Sequence, residues 1–135
     1  LAAEECARLH VDLNAELPAN LGVAADARSV TIQGSARLLR RLIRNLLENA
    51  RRHGAPPIEV TVRANGHAAE ILVCDHGPGV PDAQRERVFE PFYRYAADKD
   101  SGGTGLGLAL VRQIARRHGG EAFAEGNCFR VELRL

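Results

Sequence analysis

Ile71-Leu72-Val73-Cys74-Asp75-His76-Gly77-Pro78-Gly79-Val80 sets an apolar run directly against a polar, glycine-punctuated turn. A strand cannot continue through Gly-Pro-Gly, so it ends in a sharp loop that leaves one carboxylate, Asp75, at the rim. Gly77 and Gly79 let a flat molecule approach the backbone where any Cβ would obstruct it. Alone, the hexapeptide from Asp75 also reads as an ordinary strand-end turn with Asp as turn former. Its company decides between the two: an Asn-bearing helix lies upstream and a second glycine loop downstream.

The upstream helix is the best-defined element. From Ala36 to His53, Leu38, Leu39, Leu42, Ile43, Leu46, Leu47 and Ala50 recur at helical spacing on one broad face. Ser35 is placed to cap its start, and Gly54 with Pro56-Pro57 ends it. Asn45 and Asn49 lie together on one border of the apolar face, with Glu48 and Arg52 beside them. Two amides at i, i+4 on the edge of a core contribute little packing and need polar partners, although solvated asparagines are the plain alternative.

Further upstream, residues 1–9 carry a helical apolar pattern, His10 to Ala15 alternates as a strand does, and Ser29 to Gln33 forms a second short strand closed by Gly34. Ile58 to Ala64 and Ala68 to Cys74 alternate on either side of Asn65-Gly66, the strongest short hairpin signal available. After the Asp75 loop, Asp82 to Val88 reads as a short helix. Phe89-Glu90-Pro91-Phe92-Tyr93-Arg94 holds three of the six aromatic residues and serves as an anchor for an irregular segment. Tyr95 to Thr104 is polar and aperiodic, which predicts a mobile loop. Gly105-Leu106-Gly107-Leu108 then opens a helix running to about His118, and Glu121 to Ala124 with Cys128 to Leu135 makes a closing hairpin about Gly126-Asn127. Glycines at a helix start turn backbone amides outward, where the helix dipole favours phosphate; helix packing on a sheet selects glycine too.

With 135 residues, 45% of them hydrophobic, residues 1–135 are expected to form one domain with one core. The chain has no Met and begins at Leu1, so the expectation is a piece of a longer protein. A net charge of +1 with mixed signs argues against a nucleic-acid surface. Cys6, Cys74 and Cys128 lie far apart and form no Cys-x-x-Cys pair, so they are expected as small buried thiols in a reducing compartment rather than as a disulfide framework or zinc site. No apolar run reaches the ~18 residues of a membrane helix. The fragment is therefore expected to be cytoplasmic and monomeric, with any membrane anchor in the rest of its parent.

There is neither a Walker loop nor a dinucleotide-binding fingerprint. Each piece nevertheless suits one portion of a nucleotide: Asp75 can accept from the exocyclic amine of adenine, Asn49 can offer a hard oxygen to Mg²⁺, and the glycine helix start can hold phosphates. The segments resemble, in order, the N box (Asn45 to Ala50), G1 box (Asp75 to Gly79), F box (Phe89 to Arg94) and G2 box (Gly103-Thr104-Gly105-Leu106-Gly107-Leu108) of the ATP-binding catalytic domain of bacterial sensor histidine kinases. That resemblance implies an α+β fold of the GHKL type: a two-layer α/β sandwich in which a mixed, mostly antiparallel sheet of about five strands backs three helices. It implies ATP and Mg²⁺ as cofactors, with Asn49 as metal ligand, Asn45 assisting at metal or phosphates, Asp75 reading adenine, and Arg52 and Arg94 near the phosphates. Glu48 is the family's candidate for taking the acceptor imidazole's proton or orienting the attacking atom. The resemblance departs at Gly34-Ser35, where the family often has Gly-Asp, in the short lid between Arg94 and Gly103, and in the abbreviated last hairpin.

None of His10, His53, His67, His76 and His118 stands in the family's phosphoacceptor context. The resemblance therefore implies transfer of the γ-phosphate to a histidine on a separate dimerisation domain, then to an aspartate of a response regulator. Alternatives sharing the boxes are a hydrolytic GHKL ATPase, an anti-sigma serine kinase module and a non-catalytic nucleotide sensor.

Overall fold

A computed structural model describes residues 8–17, 30–93 and 106–135. The element order is β1 (Arg8–Asp12), a 3-10 turn (Leu13–Glu16), β2 (Thr31–Ser35), α1 (Ala36–His53), β3 (Glu59–Asn65), β4 (Ala68–Cys74), two 3-10 turns (Asp82–Gln84 and Arg87–Phe89), α2 (Gly107–Arg117), β5 (Glu121–Glu125) and β6 (Cys128–Arg134).

The fold is the anticipated two-layer α+β sandwich. Among the described residues every pairing is antiparallel, and the strands divide into a four-stranded sheet in the order β3-β4-β6-β5 and a separate β1-β2 ribbon. Alternation decides which face is covered. Val60 and Val62 of β3, Ile71 and Val73 of β4, and Val131 and Leu133 of β6 are buried, as are the facing Leu39, Leu42, Ile43 and Leu46 of α1 and Val111 and Ile114 of α2. At about 1.5–3 kcal/mol per buried aliphatic side chain, this interface is the principal source of stability. The outer face carries the row Glu59–Cys74–Cys128–Glu125 and, two residues along, Thr61–Leu72–Arg130–Phe123.

Three local expectations hold. The Ser35 hydroxyl accepts from the Leu38 N–H at 3.3 Å, as an N-cap should. The expected β3-β4 hairpin forms, turning through Gly66, at φ +63°, and His67, one residue later than Asn65-Gly66 because Asn65 still pairs with Ala68. Gly126 turns β5 into β6 at φ +58°.

Other expectations are corrected. Gly34 does not close its strand but lies inside β2 opposite Leu9, and it is glycine there because a Cβ would stand 2.5 Å from the His118 ring. Asp82 to Val88 is not one helix: the segment between Pro81 and Pro91 is short and lacks an apolar stripe, so it closes only i to i+3 bonds, Gln84 N–H to Pro81 O at 2.8 Å and Glu90 N–H to Arg87 O at 2.9 Å. Two α-helices rather than three stand among the described residues; of the helix expected over 1–9, residues 1–7 lie outside them and Arg8 already begins β1. Cys74 and Cys128 are not separate thiols. The register sets them side by side, Cα atoms 4.0 Å apart, and they form a disulfide across 54 residues of sequence. Among the described residues no helix is long and apolar enough to cross a membrane.

Candidate functional site

Where β4 ends, Asp75 is fastened from three sides. Its N–H donates to the Asn127 carbonyl at 3.1 Å, the Asn127 side-chain amide donates back to the Asp75 carbonyl, and its own Oδ1 accepts from the Gly77 N–H at 2.6 Å. Five residues on, the Val80 N–H donates to the Gly126 carbonyl at 2.9 Å. Asp75 as a residue is 8% exposed, and its carboxylate fits there only because its neighbours lack side chains. A Cβ on Gly54 would stand 2.2 Å from Asp75 Cγ, and one on Gly77 would stand 2.8 Å from Gly54 Cα. Gly79, at φ +78°, would press a Cβ to 2.5 Å from the Gly126 carbonyl oxygen. The glycines expected to open the backbone are thus required by close approach.

Across from this corner stands the last turn of α1. Asn49 and His53 share one cavity with Asp75, Gly79, Asn127 and Phe129, although Asn49 and Asp75 come from different layers. The cavity measures about 10 Å³, room for no more than one water, so a purine would have to widen it. No described group donates to or accepts from the Asn49 side chain.

One turn earlier, Asn45 Nδ2 donates to the Gly107 carbonyl at 3.2 Å, tying α1 to the start of α2. Gly107 is the first residue of that helix, and the preceding Leu106 provides no side-chain cap to its leading amides. Leu106 is exposed, whereas Leu108 faces the core. Glu48 is not brought into the Asp75 cavity. It pairs with Arg52 Nε at 3.1 Å and Arg51 at 3.4 Å, and lines a groove against Glu16, Leu17 and Arg44. Arg94, Gly103, Thr104 and Gly105 lie outside the described residues, as does the Tyr95 to Thr104 loop.

The aromatic segment divides its labour. Phe89 is buried edge-on against Phe129, ring centroids 6.1 Å apart, with Arg112 over its face at 4.9 Å. Tyr93 packs at the margin of the core beside Arg87, but Phe92 is 70% exposed at φ +65° and is not part of the core among the described residues.

Reading by sequence missed Gly54, His53, Asn127 and Phe129. Gly54 carried the signal of a helix stop and Asn127 that of a hairpin turn, and both are; their second role depends on what the fold lays against them. His118 is structural: buried, its Nε2 accepts from the Ser35 N–H at 3.1 Å while Nδ1 faces the Ile114 carbonyl at 2.8 Å. Those contacts require the Nδ1–H tautomer. His76 is exposed and reaches Glu59 at 3.1 Å.

Comparison with known proteins agrees with the fold. Residues 34–135 match the family described as histidine kinase-, DNA gyrase B- and HSP90-like ATPase. A signal transduction histidine-protein kinase/phosphatase MprB of Mycobacterium sp. (strain KMS) is 45% identical over 92 residues, covering 66% of this chain and 18% of that protein. The chain thus spans less than a fifth of that relative's length. Among solved structures, the mycobacterial sensor histidine kinase MprB is 26% identical, with a TM-score of 0.77 over 94% of this chain and 97% of that one. The ATP binding domain of PrrB from Mycobacterium tuberculosis is 28% identical, with a TM-score of 0.70 and 96% of each chain covered.

Proposed function

This chain belongs to the histidine kinase-, DNA gyrase B- and HSP90-like ATPase family, and on that footing we propose that it binds Mg-ATP and presents the γ-phosphate to a histidine on the dimerisation domain of a two-component sensor kinase. The observation that carries this reading is the meeting of Asn49, Asp75 and Gly79 on one cavity, with the Asn45 amide holding the glycine start of α2 beside it.

In this reading Asp75 accepts the exocyclic N–H of adenine. Guanine has a carbonyl at that edge and would set two acceptors face to face. The Gly77 amide fixes the carboxylate's orientation, and Gly54 and Gly77 leave room for it. Phosphates are held at the glycine start of α2, with Gly103, Thr104, Gly105 and Leu106 among the residues proposed to bind them. The Asn49 carbonyl oxygen, a hard donor engaged by no described group, fits Mg²⁺ as its protein ligand. Bound there, the ion supplies positive charge to the phosphate oxygens.

Phosphoryl transfer asks the protein mainly for position and charge. Arg52 and Arg94 contribute cations, and the acceptor imidazole nitrogen attacks the γ-phosphorus in line as ADP departs. Glu48, now held by Arg51 and Arg52, would take up the imidazole proton or orient the ring after leaving that pair. A response regulator would then receive the phosphoryl group on an aspartate.

A water-activating ATPase is disfavoured by a specific contact. Those relatives carry glutamate where Asn45 stands, and a carboxylate could not donate to the Gly107 carbonyl as the Asn45 amide does. The test mixes this chain with the parent's dimerisation domain and γ-labelled ATP. Acid-labile label on that domain is expected. Steady phosphate release without labelled histidine, lost in Glu48→Ala, would install the hydrolytic reading instead.

A further inference from the structure

The Cys74–Cys128 disulfide adjoins the Asp75 cavity on two neighbouring strands, β4 and β6: Cys74 precedes Asp75 and Cys128 follows Asn127. These are the residues that form two walls of that cavity. Three hydrogen bonds already tie the walls, Asp75 N–H to Asn127 O, Asn127 Nδ2–H to Asp75 O and Val80 N–H to Gly126 O. The covalent link fastens the same pair of strand ends one residue away. With it in place the cavity holds about 10 Å³.

Both sulfurs lie on the outer face of the sheet, away from the helices, and both cysteines are only partly buried. Their row neighbours, Glu59 and Glu125, would repel an approaching thiolate if left bare. Arg130, however, pairs with Glu125 at 2.8 Å and offsets that charge, while Glu59 is hydrogen-bonded by His76 at 3.1 Å. A small thiol can therefore reach the bond without crossing the core, which is where labile disulfides differ from structural ones.

We propose that Cys74–Cys128 is a redox modification site that governs how readily the Asp75 cavity widens for a nucleotide. The inference rests on the nucleotide reading of that cavity. In the oxidised chain the two walls are held together and binding is weak; reduction frees the strand ends and binding tightens. The reductant is a low-molecular-weight thiol. Its thiolate attacks one sulfur to give a mixed disulfide and release one cysteine; a second thiolate resolves it. Two electrons and two protons pass to the protein, which gains two thiols, and two reductant molecules leave joined as a disulfide. Oxidation is the same exchange run backwards against a small disulfide.

Calorimetry with Mg²⁺ and a non-hydrolysable ATP analogue, on the 135-residue chain oxidised, fully reduced, and as Cys74→Ser/Cys128→Ser, decides the matter. Reduction is expected to tighten binding by about threefold to tenfold by removing one constraint on opening, and the double variant should match the reduced protein whether or not reductant is present. Equal affinity in the oxidised and reduced forms, or weaker binding on reduction, overturns this inference and leaves the proposed function standing. Binding by no form overturns both. Mass spectrometry after alkylation reads the state of the pair in each sample, and a bond that resists millimolar thiol in the folded chain also overturns the proposal.

Discussion

Gly54 shows how much a single missing methyl group can decide. Its φ of −103° is open to any residue, so alanine there would meet no backbone penalty. The Cβ, however, would sit 2.2 Å from the Asp75 carboxyl carbon, inside van der Waals contact. Gly54→Ala should therefore destabilise the chain by about 1–3 kcal/mol and displace Asp75, weakening nucleotide binding. Gly66→Ala is the control, since that glycine has a positive φ but nothing within 4 Å of a new Cβ. It should cost only about 1 kcal/mol and leave binding alone. Urea denaturation with calorimetry distinguishes them, and wild-type behaviour in Gly54→Ala would contradict the packing described. None of this was legible from the chain, because Gly54 and Asp75 are brought together only by the turn between α1 and the sheet. Asp75 itself could be read, because the abrupt change from Ile71-Leu72-Val73-Cys74 to Gly-Pro-Gly is local.

The elements divide by whether their cause is local. α1 was readable to the residue because its leucine stripe, its Ser35 cap and its Gly54 stop all lie within the segment. The 3-10 turns after Pro81 were not, since a short polar stretch fits a helix as well until its surroundings are known. The outer face of the sheet is likewise a product of register. Burial works to raise the Glu70 carboxyl, but hydrogen bonds from Arg63 and Asn65 and the charges of Arg63 and Arg130 outweigh it, leaving the group below its ordinary 4.5. Glu121 is lowered in the same way: burial opposes, while the Ala122 N–H, Arg116 and Arg112 prevail. A depressed carboxyl binds its proton more readily unfolded than folded, so its stabilisation is full above about pH 4.5 and fades as pH falls through the folded value. Melting temperature should accordingly hold from neutral pH to about 5 and fall below it. Glu70, whose side chain is 5% exposed, should account for about 1 kcal/mol of the loss. Glu70→Gln should flatten that acid limb, and an unchanged limb would remove Glu70 from the account.

For the molecule as a whole, the order of the segments was the legible part. An Asn helix, an Asp-Gly turn, an aromatic segment and a glycine helix start fall in sequence along the chain, and α1, the Asp75 corner and α2 then converge in space. What the order did not contain was pairing at a distance: the division into four strands and two, Asn127 against Asp75, and Cys74 against Cys128. Each of these depends on which residues come to face one another across strands, a property of the assembled sheet. The central claim is that Asn49, Asp75 and Gly107, drawn from three separate elements, form one nucleotide site. A titration of the reduced chain with Mg-ATP, followed by the amide resonances of those residues, tests it most directly. Saturable shifts at all three, with loss of adenine preference over guanine in Asp75→Asn, are the result expected. Resonances that stay in place at millimolar Mg-ATP would contradict the account.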